Sequence, residues 1–139
     1  VRLVVDTNVL ISALLVKGSL PAHLVTLWRE GTFGLLTAAD QLDELMRVTR
    51  YPKLRERLTP ALAGRLINEV RELAVLVTGL PQISVCPDPH DNYLLGLARA
   101  GSADFLVTGD KRDLLGLWQF EGIHIVTVRD FLTRIRRLP

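Results

Sequence analysis

Cysteine is almost missing from this chain: Cys86 is alone among 139 residues. That excludes an internal disulfide and a thiolate-rich metal cluster, and it gives no sign of an oxidising compartment. With no activating partner in view, Cys86 reads as a small buried apolar residue. Histidine is scarce too, and His23, His90 and His124 lack the spacing of a zinc site. His90, although next to Asp91, reads as a single exposed imidazole. No Ser-His or Cys-His constellation for a side-chain nucleophile appears. Apolar runs are broken by charges well before the roughly 20 residues that span a bilayer, so a soluble, cytoplasmic protein with no membrane partner is expected. No cleavable leader is expected either, because Asp6 interrupts the only candidate apolar stretch.

What is present is a dense apolar chain. Hydrophobic residues make up 48% and the mean hydropathy is +0.25, which excludes a largely disordered protein. A chain of this length is expected to form one domain over residues 1–139, burying about two thirds of its unfolded surface. The formal charge is only +2, yet the basic residues are clustered. Arg47, Arg50, Lys53, Arg55, Arg57 and Arg65 crowd the middle, and Arg134, Arg136 and Arg137 the C-terminus. Such clusters suit phosphates or are ordinary solvated helix faces.

Strand and helix signals alternate. "RLVVD" (Arg2 to Asp6) is a short β-branched run that predicts a buried strand. Helices follow over Asn8–Val16 and Pro21–Glu30, then a weaker strand at "FGLLTA" and a helix at "AADQLDELMRVTR". Thr59-Pro60 is a helix start with a cap and a first-turn proline, and its apolar period of 3.6 runs through Val77 to Gly79. "QISVC" predicts a strand, Pro89–Ala100 a helix, and "ADFLVTGD" another strand. "DLLGLWQF" is a short helix or turn, "IHIVTV" the last strand and "RDFLTRIRRL" a closing helix. The pattern specifies an α/β sandwich with a mainly parallel sheet.

The acids fall at telling places. Asp6 ends one strand and Asp110 follows another by two residues; in open parallel sheets, ligands bind beyond the carboxyl ends of strands. Asp91 lies at the start of a helix near the same edge, and Glu44 in the first turns of the helix after the second strand. Each has a plain alternative. Asp6, Asp110 and Asp88 are suited to helix caps, Asp91 to a helix dipole, and Glu44 to a solvated helix face. Gathering four carboxylates is unfavourable, because two charges about 4 Å apart repel by roughly 4 kcal/mol at an effective dielectric of 20. A hard cation offsets this, and all-oxygen ligation favours Mg²⁺ or Mn²⁺ over Zn²⁺.

Four segments, "VVDTNVLISALL", "LDELMRV", "CPDPHDNYLLGLA" and "ADFLVTGDKRDLL", resemble in order and spacing the PIN-domain family. They are especially similar to the VapC-like toxin ribonucleases of toxin–antitoxin systems. The resemblance implies a three-layer sandwich with a mainly parallel five-stranded sheet flanked by helices. It implies a metal-dependent endoribonuclease in which Asp6, Glu44, Asp91 and Asp110 are catalytic and hold one or two Mg²⁺ or Mn²⁺ ions. RNA is the implied substrate, an antitoxin protein the implied partner, and a homodimer the implied assembly.

Asn8 would orient Asp6 by hydrogen bonding, Thr7 would shape the helix start, and Thr108 would face the site from its strand. Asp88 and Asp113 are secondary acids with capping as the alternative, and Asp43, beside Glu44, points about 100° away on a helix. Lys111, Arg112, Arg47, Arg50 and Lys53 are candidates to meet RNA phosphates. Tyr51 and Tyr93 are available for bases but suit a core or rim role, and Trp28 and Trp118 suit packing or an interface. Leu14, Leu15, Val16 and Trp28 serve either a dimer face or an intrachain core. Two other readings use the same residues. Phosphoryl transfer on an aspartate is disfavoured, because Asn8 stands where a phosphatase needs a second acid and the acidic pair of a receiver is missing. A PIN fold without catalysis, binding RNA or protein, is the remaining alternative.

Overall fold

The structure is a computed structural model and describes residues 1–109 and 112–136. Its centre is β1 (Arg2–Val5), whose Leu3, Val4 and Val5 are fully buried. Successive side chains of a strand point to opposite faces, so a strand apolar at every position needs a cover on both sides. Leu3 and Val5 join one core cluster and Val4 the other. Helices α1 (Thr7–Leu15), α2 (Leu20–Arg29), α3 (Ala39–Val48), α5 (Pro60–Leu73) and α8 (Val128–Ile135) contribute to the first. Helices α6 (Pro89–Ala100) and α7 (Arg112–Leu117) contribute to the second. The short α4 (Pro52–Arg55) bridges α3 and α5.

The remaining strands are β2 (Gly34–Thr37), β3 (Val75–Leu76), β4 (Phe105–Thr108), β5 (Gln119–Phe120) and β6 (Ile123–Thr127). They lie in the order β3-β2-β1-β4-β6-β5, all parallel except β5 against β6. From β1 the chain builds outward through β2 and β3, then returns across β1 to add β4 and β6. The reversal places a topological switch point between β1 and β4, where the loops leaving the two strands diverge. The α/β class and parallel sheet are those the sequence specifies. The sheet has six strands where five were expected, because β5 adds a two-residue antiparallel edge.

The 74–86 region departs from the expected pattern at two places. Gln82–Cys86 is not a strand, and the helix from Pro60 stops at Leu73 rather than continuing through Val77. Ala74 is extended and caps the helix by donating its N–H to Val70 O, and the β-branched run beyond it pairs with the open edge of β2. Val77 donates to Thr37 O at 2.8 Å, prolonging that pairing. The 81–86 segment is held instead by α6. Asn92 Oδ1 accepts from the Val85 and Cys86 N–H groups at 3.1 and 2.8 Å, and its Nδ2 donates to Cys86 O at 2.8 Å. A β-propensity run has here lost its backbone partners to one side chain, a competition that Asn is built for. Trp28 is buried in the core, whereas Trp118 is 66% exposed and adopts φ 46°.

Asn92→Ala removes three hydrogen bonds to the backbone, two of them partly buried. It is expected to destabilise the fold by about 1–3 kcal/mol in denaturant titration, the loss showing first as faster amide exchange at Val85 and Cys86.

Candidate functional site

Asp6 is the residue immediately beyond β1 and is 0% exposed. Its N–H donates to Val107 O at 2.9 Å, which carries the β1–β4 pairing one step past the strand. One carboxylate oxygen, Oδ1, accepts from the Asn8 main-chain N–H at 3.2 Å and so caps α1. The other, Oδ2, accepts from Thr108 Oγ1 at 3.1 Å across the strand pair. Capping and site formation are thus done by the same side chain. The bond from Asn8 is made by its backbone; Asn8 is itself exposed, and the side chain that orients Asp6 across the sheet belongs to Thr108.

Glu44 reaches the same point from α3. Thr7, buried at the first position of α1, donates its hydroxyl to Glu44 Oε1 in a short contact. Below it lies Gln41, 0% exposed, whose amide joins three elements. Gln41 Nε2 donates to Val5 O at 2.7 Å, and its Oε1 accepts from Thr37 Oγ1 at 2.7 Å. A buried amide group is costly unless its bonds are made, so Gln41 fixes α3 against the carboxyl ends of β1 and β2. Glu44, three residues on, then faces the same way, whereas Asp43 is exposed.

His90 completes the group. It lies in the first turn of α6 with Nε2 3.5 Å from Asp6 Oδ1 and Nδ1 3.2 Å from Glu44 Oε2. The expectation of a single exposed imidazole is therefore corrected: the ring is three-quarters buried between two carboxylates. Asp91, its neighbour, is 2% exposed. Asp88 is the N-cap of α6 and accepts from the His90 N–H at 2.9 Å, the capping role weighed for it. Asp113 is exposed in the first turn of α7. Asp110 and Lys111 lie outside the described residues. Arg112, Arg47, Arg50 and Lys53 are all exposed.

The electrostatics of the group are visible in its neighbours. Burial pushes the Tyr93 phenol well above its ordinary value, and the charges of Glu44, Asp40 and Asp6 push it further. Its hydroxyl is shielded and has no hydrogen-bond partner among the described residues. Burial likewise raises the Cys86 thiol, followed by the charges of Asp91, Asp113 and Asp88. The acids near the start of α6 therefore disfavour a further negative charge on either group. Among the described residues, no three His, Cys, Asp or Glu side chains form a complete metal-binding group; the assembled part is Asp6 and Glu44 with His90 between them.

Comparison with known proteins places the chain in a family. The family model described as PIN domain matches residues 2–112, which takes in Asp6, Glu44, Asp91 and Asp110. The chain belongs to the PIN-domain family. PIN domains are generally nucleases, so the acid group at the switch point is the candidate active site of a nuclease fold. The chain is also similar to an uncharacterized protein of Methanocaldococcus jannaschii, 30% identical over 118 residues, which are 84% of this chain and 75% of that protein. No solved structure gives a significant match.

Sequence reasoning missed Gln41 and Thr37 and misjudged His90. Gln41 stands one helical turn before Glu44, so a polar pair at i, i+3 was the available signal. No local pattern announces His90, because its partners are more than 40 residues away in sequence. Gln41→Leu leaves the Thr37 hydroxyl and Val5 carbonyl without partners and is expected to cost about 1–3 kcal/mol by chemical denaturation. For Tyr93 the sign follows from its raised pKa. Stability is full below the ordinary phenol value of about 10 and falls as pH rises through the folded-state pKa. Absorbance titration of a Tyr51→Phe variant should show the remaining phenol resisting ionisation until the protein opens.

Proposed function

We propose that this PIN domain is a divalent-metal-dependent endoribonuclease and the toxin component of a toxin–antitoxin pair. One observation carries the reading: a fully buried carboxylate, Asp6, is held at the sheet's switch point while a second, Glu44, is brought to the same imidazole from another helix. Burying carboxylates together is costly without a compensating cation. Oxygen donors favour a hard one, Mg²⁺ or Mn²⁺. Asp6, Glu44 and Asp91 would hold it, together with Asp110, whose place in the sequence two residues past β4 suits the role. When bound, such an ion lowers the pKa of a water molecule and offsets charge on the phosphate and the leaving oxygen.

The chain's own residues do the rest. Thr108 and the Asn8 N–H keep both Asp6 oxygens directed, and Thr7 and Gln41 hold Glu44 and α3 in place. Exposed Arg112, Arg47, Arg50 and Lys53, with Lys111, would meet the RNA backbone through charge alone, binding that weakens with salt and carries no base preference. An antitoxin protein is the proposed partner, a homodimer the proposed assembly, and the cytoplasm the proposed setting.

Asp6→Asn keeps the cap on α1 but removes the charge. The variant is expected to lose RNA cleavage by about a hundredfold or more while its thermal unfolding remains cooperative. Cleavage at the wild-type rate by the purified variant would reject the site. Calorimetry with Mn²⁺ that shows no binding, alongside retained RNA binding, would assign the chain to the non-catalytic alternative instead. Growth arrest on expression, relieved in Asp6→Asn, tests the toxin role.

A further inference from the structure

A cavity of about 540 Å³ opens beside the acid group, between the start of α3, the 80–84 segment and the first turns of α6. Its size is that of pockets that take a nucleotide-sized ligand. Tyr93 forms the wall nearest the site, its ring centroid 5.9 Å from that of His90. Asp40 lines the opposite side one helical turn before Glu44, about 6 Å away along α3. Pro81 and Ile83 supply apolar surface, and Gln82 is exposed at the edge.

The walls are built in advance. Besides the Asn92 clamp, the 81–84 segment lies close on α6 because residue 96 is glycine. A Cβ there would stand 2.7 Å from Pro81 O, too near for any other residue without displacement of the backbone. A preformed recess costs little ordering on binding.

We propose that this cavity is a nucleobase subsite that takes guanine from the nucleotide flanking the scissile phosphate; the proposal rests on the endoribonuclease reading. A carboxylate only accepts hydrogen bonds, through two oxygens side by side. Guanine alone among the four bases offers two adjacent donors, N1–H and N2–H, on one edge. Adenine and cytosine place an acceptor beside their amino group, and uracil places its single N–H between two carbonyls. Splayed bases in single-stranded RNA are recognised in this manner, by their Watson–Crick edge and by their faces against flat or apolar side chains. Phosphate is the wrong occupant, because Asp40 shares the surroundings of Tyr93 with Glu44 and Asp6. With the phosphate at the acid group, a base one helical turn away falls in the cavity.

The test uses the full chain in EDTA, so that binding is measured apart from cleavage. Guanosine, adenosine, cytidine and uridine are titrated singly, with arginine amide as a cationic control, and amide shifts of Gln82–Ser84 and Tyr93 are followed by NMR. Guanosine is expected to bind about tenfold more tightly than the others, and Asp40→Asn to abolish that preference. Asp40→Ala, on an exposed first-turn position, checks that the loss does not depend on the new amide. In the metal-loaded protein, RNAs carrying one guanosine among adenosines and uridines should be cut beside it. Cleavage without preference for guanosine, unchanged in Asp40→Asn, would overturn the subsite and leave the nuclease standing. Guanosine preference lost in Asp40→Asn, with no RNA cleaved, would sustain the subsite and reject the nuclease. Equal binding of all four nucleosides, or tighter binding of arginine amide, would overturn the proposal in favour of a protein partner's cationic side chain.

Discussion

Keeping the Asp6 carboxylate buried is the constraint on which the rest of this molecule depends. A charge out of water is tolerated only where directed donors or an opposite charge replace its hydration. Here the replacements come from three places: the first turn of α1, the end of β4 and the first turn of α6. Thr108 is 102 positions away in sequence and meets Asp6 only because β1 and β4 pair in parallel. Their register, set by Leu3, Val4 and Val5 against Phe105, Leu106 and Val107, therefore determines the site as directly as it determines the core. A slip of one residue would exchange side chains between the two differently filled cores and part Asp6 from Thr108 together.

A second level of support is polar, buried at Gln41 and partly buried at Asn92. Gln41 ties α3 to the ends of two strands, and Asn92 ties the 81–86 segment to α6. Both are amides, each offering donor and acceptor at one point, and each holds backbone that would otherwise need water. Their effect on function is indirect but specific. Gln41 brings Glu44 to Asp6, and Asn92, with Gly96, forms the wall of the adjoining cavity. The acid group and the cavity thus share α3 and α6 as common walls.

Much of the fold is legible in the chain alone. The run from Arg2 to Asp6 announced a buried strand, Thr59-Pro60 announced a helix start, and Pro89–Ala100 was readable to the residue. Asp6 at a strand end and Glu44 early in a helix stood out because their positions had chemical meaning. The failures share one cause. Val75–Leu76 and Gln82–Cys86 have similar strand propensity, yet only the first pairs. The outcome turns on which backbone finds a partner, and an open β2 edge and an Asn side chain settled it.

The sequence by itself determined the α/β class, the family and which acids are candidates, because hydrophobic period and residue chemistry are local properties. Tertiary structure alone decided that His90 sits between Asp6 and Glu44, that Gln41 is buried beneath them, and that Asp40 and Tyr93 face one cavity. Those relations join residues tens of positions apart. They exist only once strand pairing has closed the distance, and no local pattern in the chain encodes a distance of that kind.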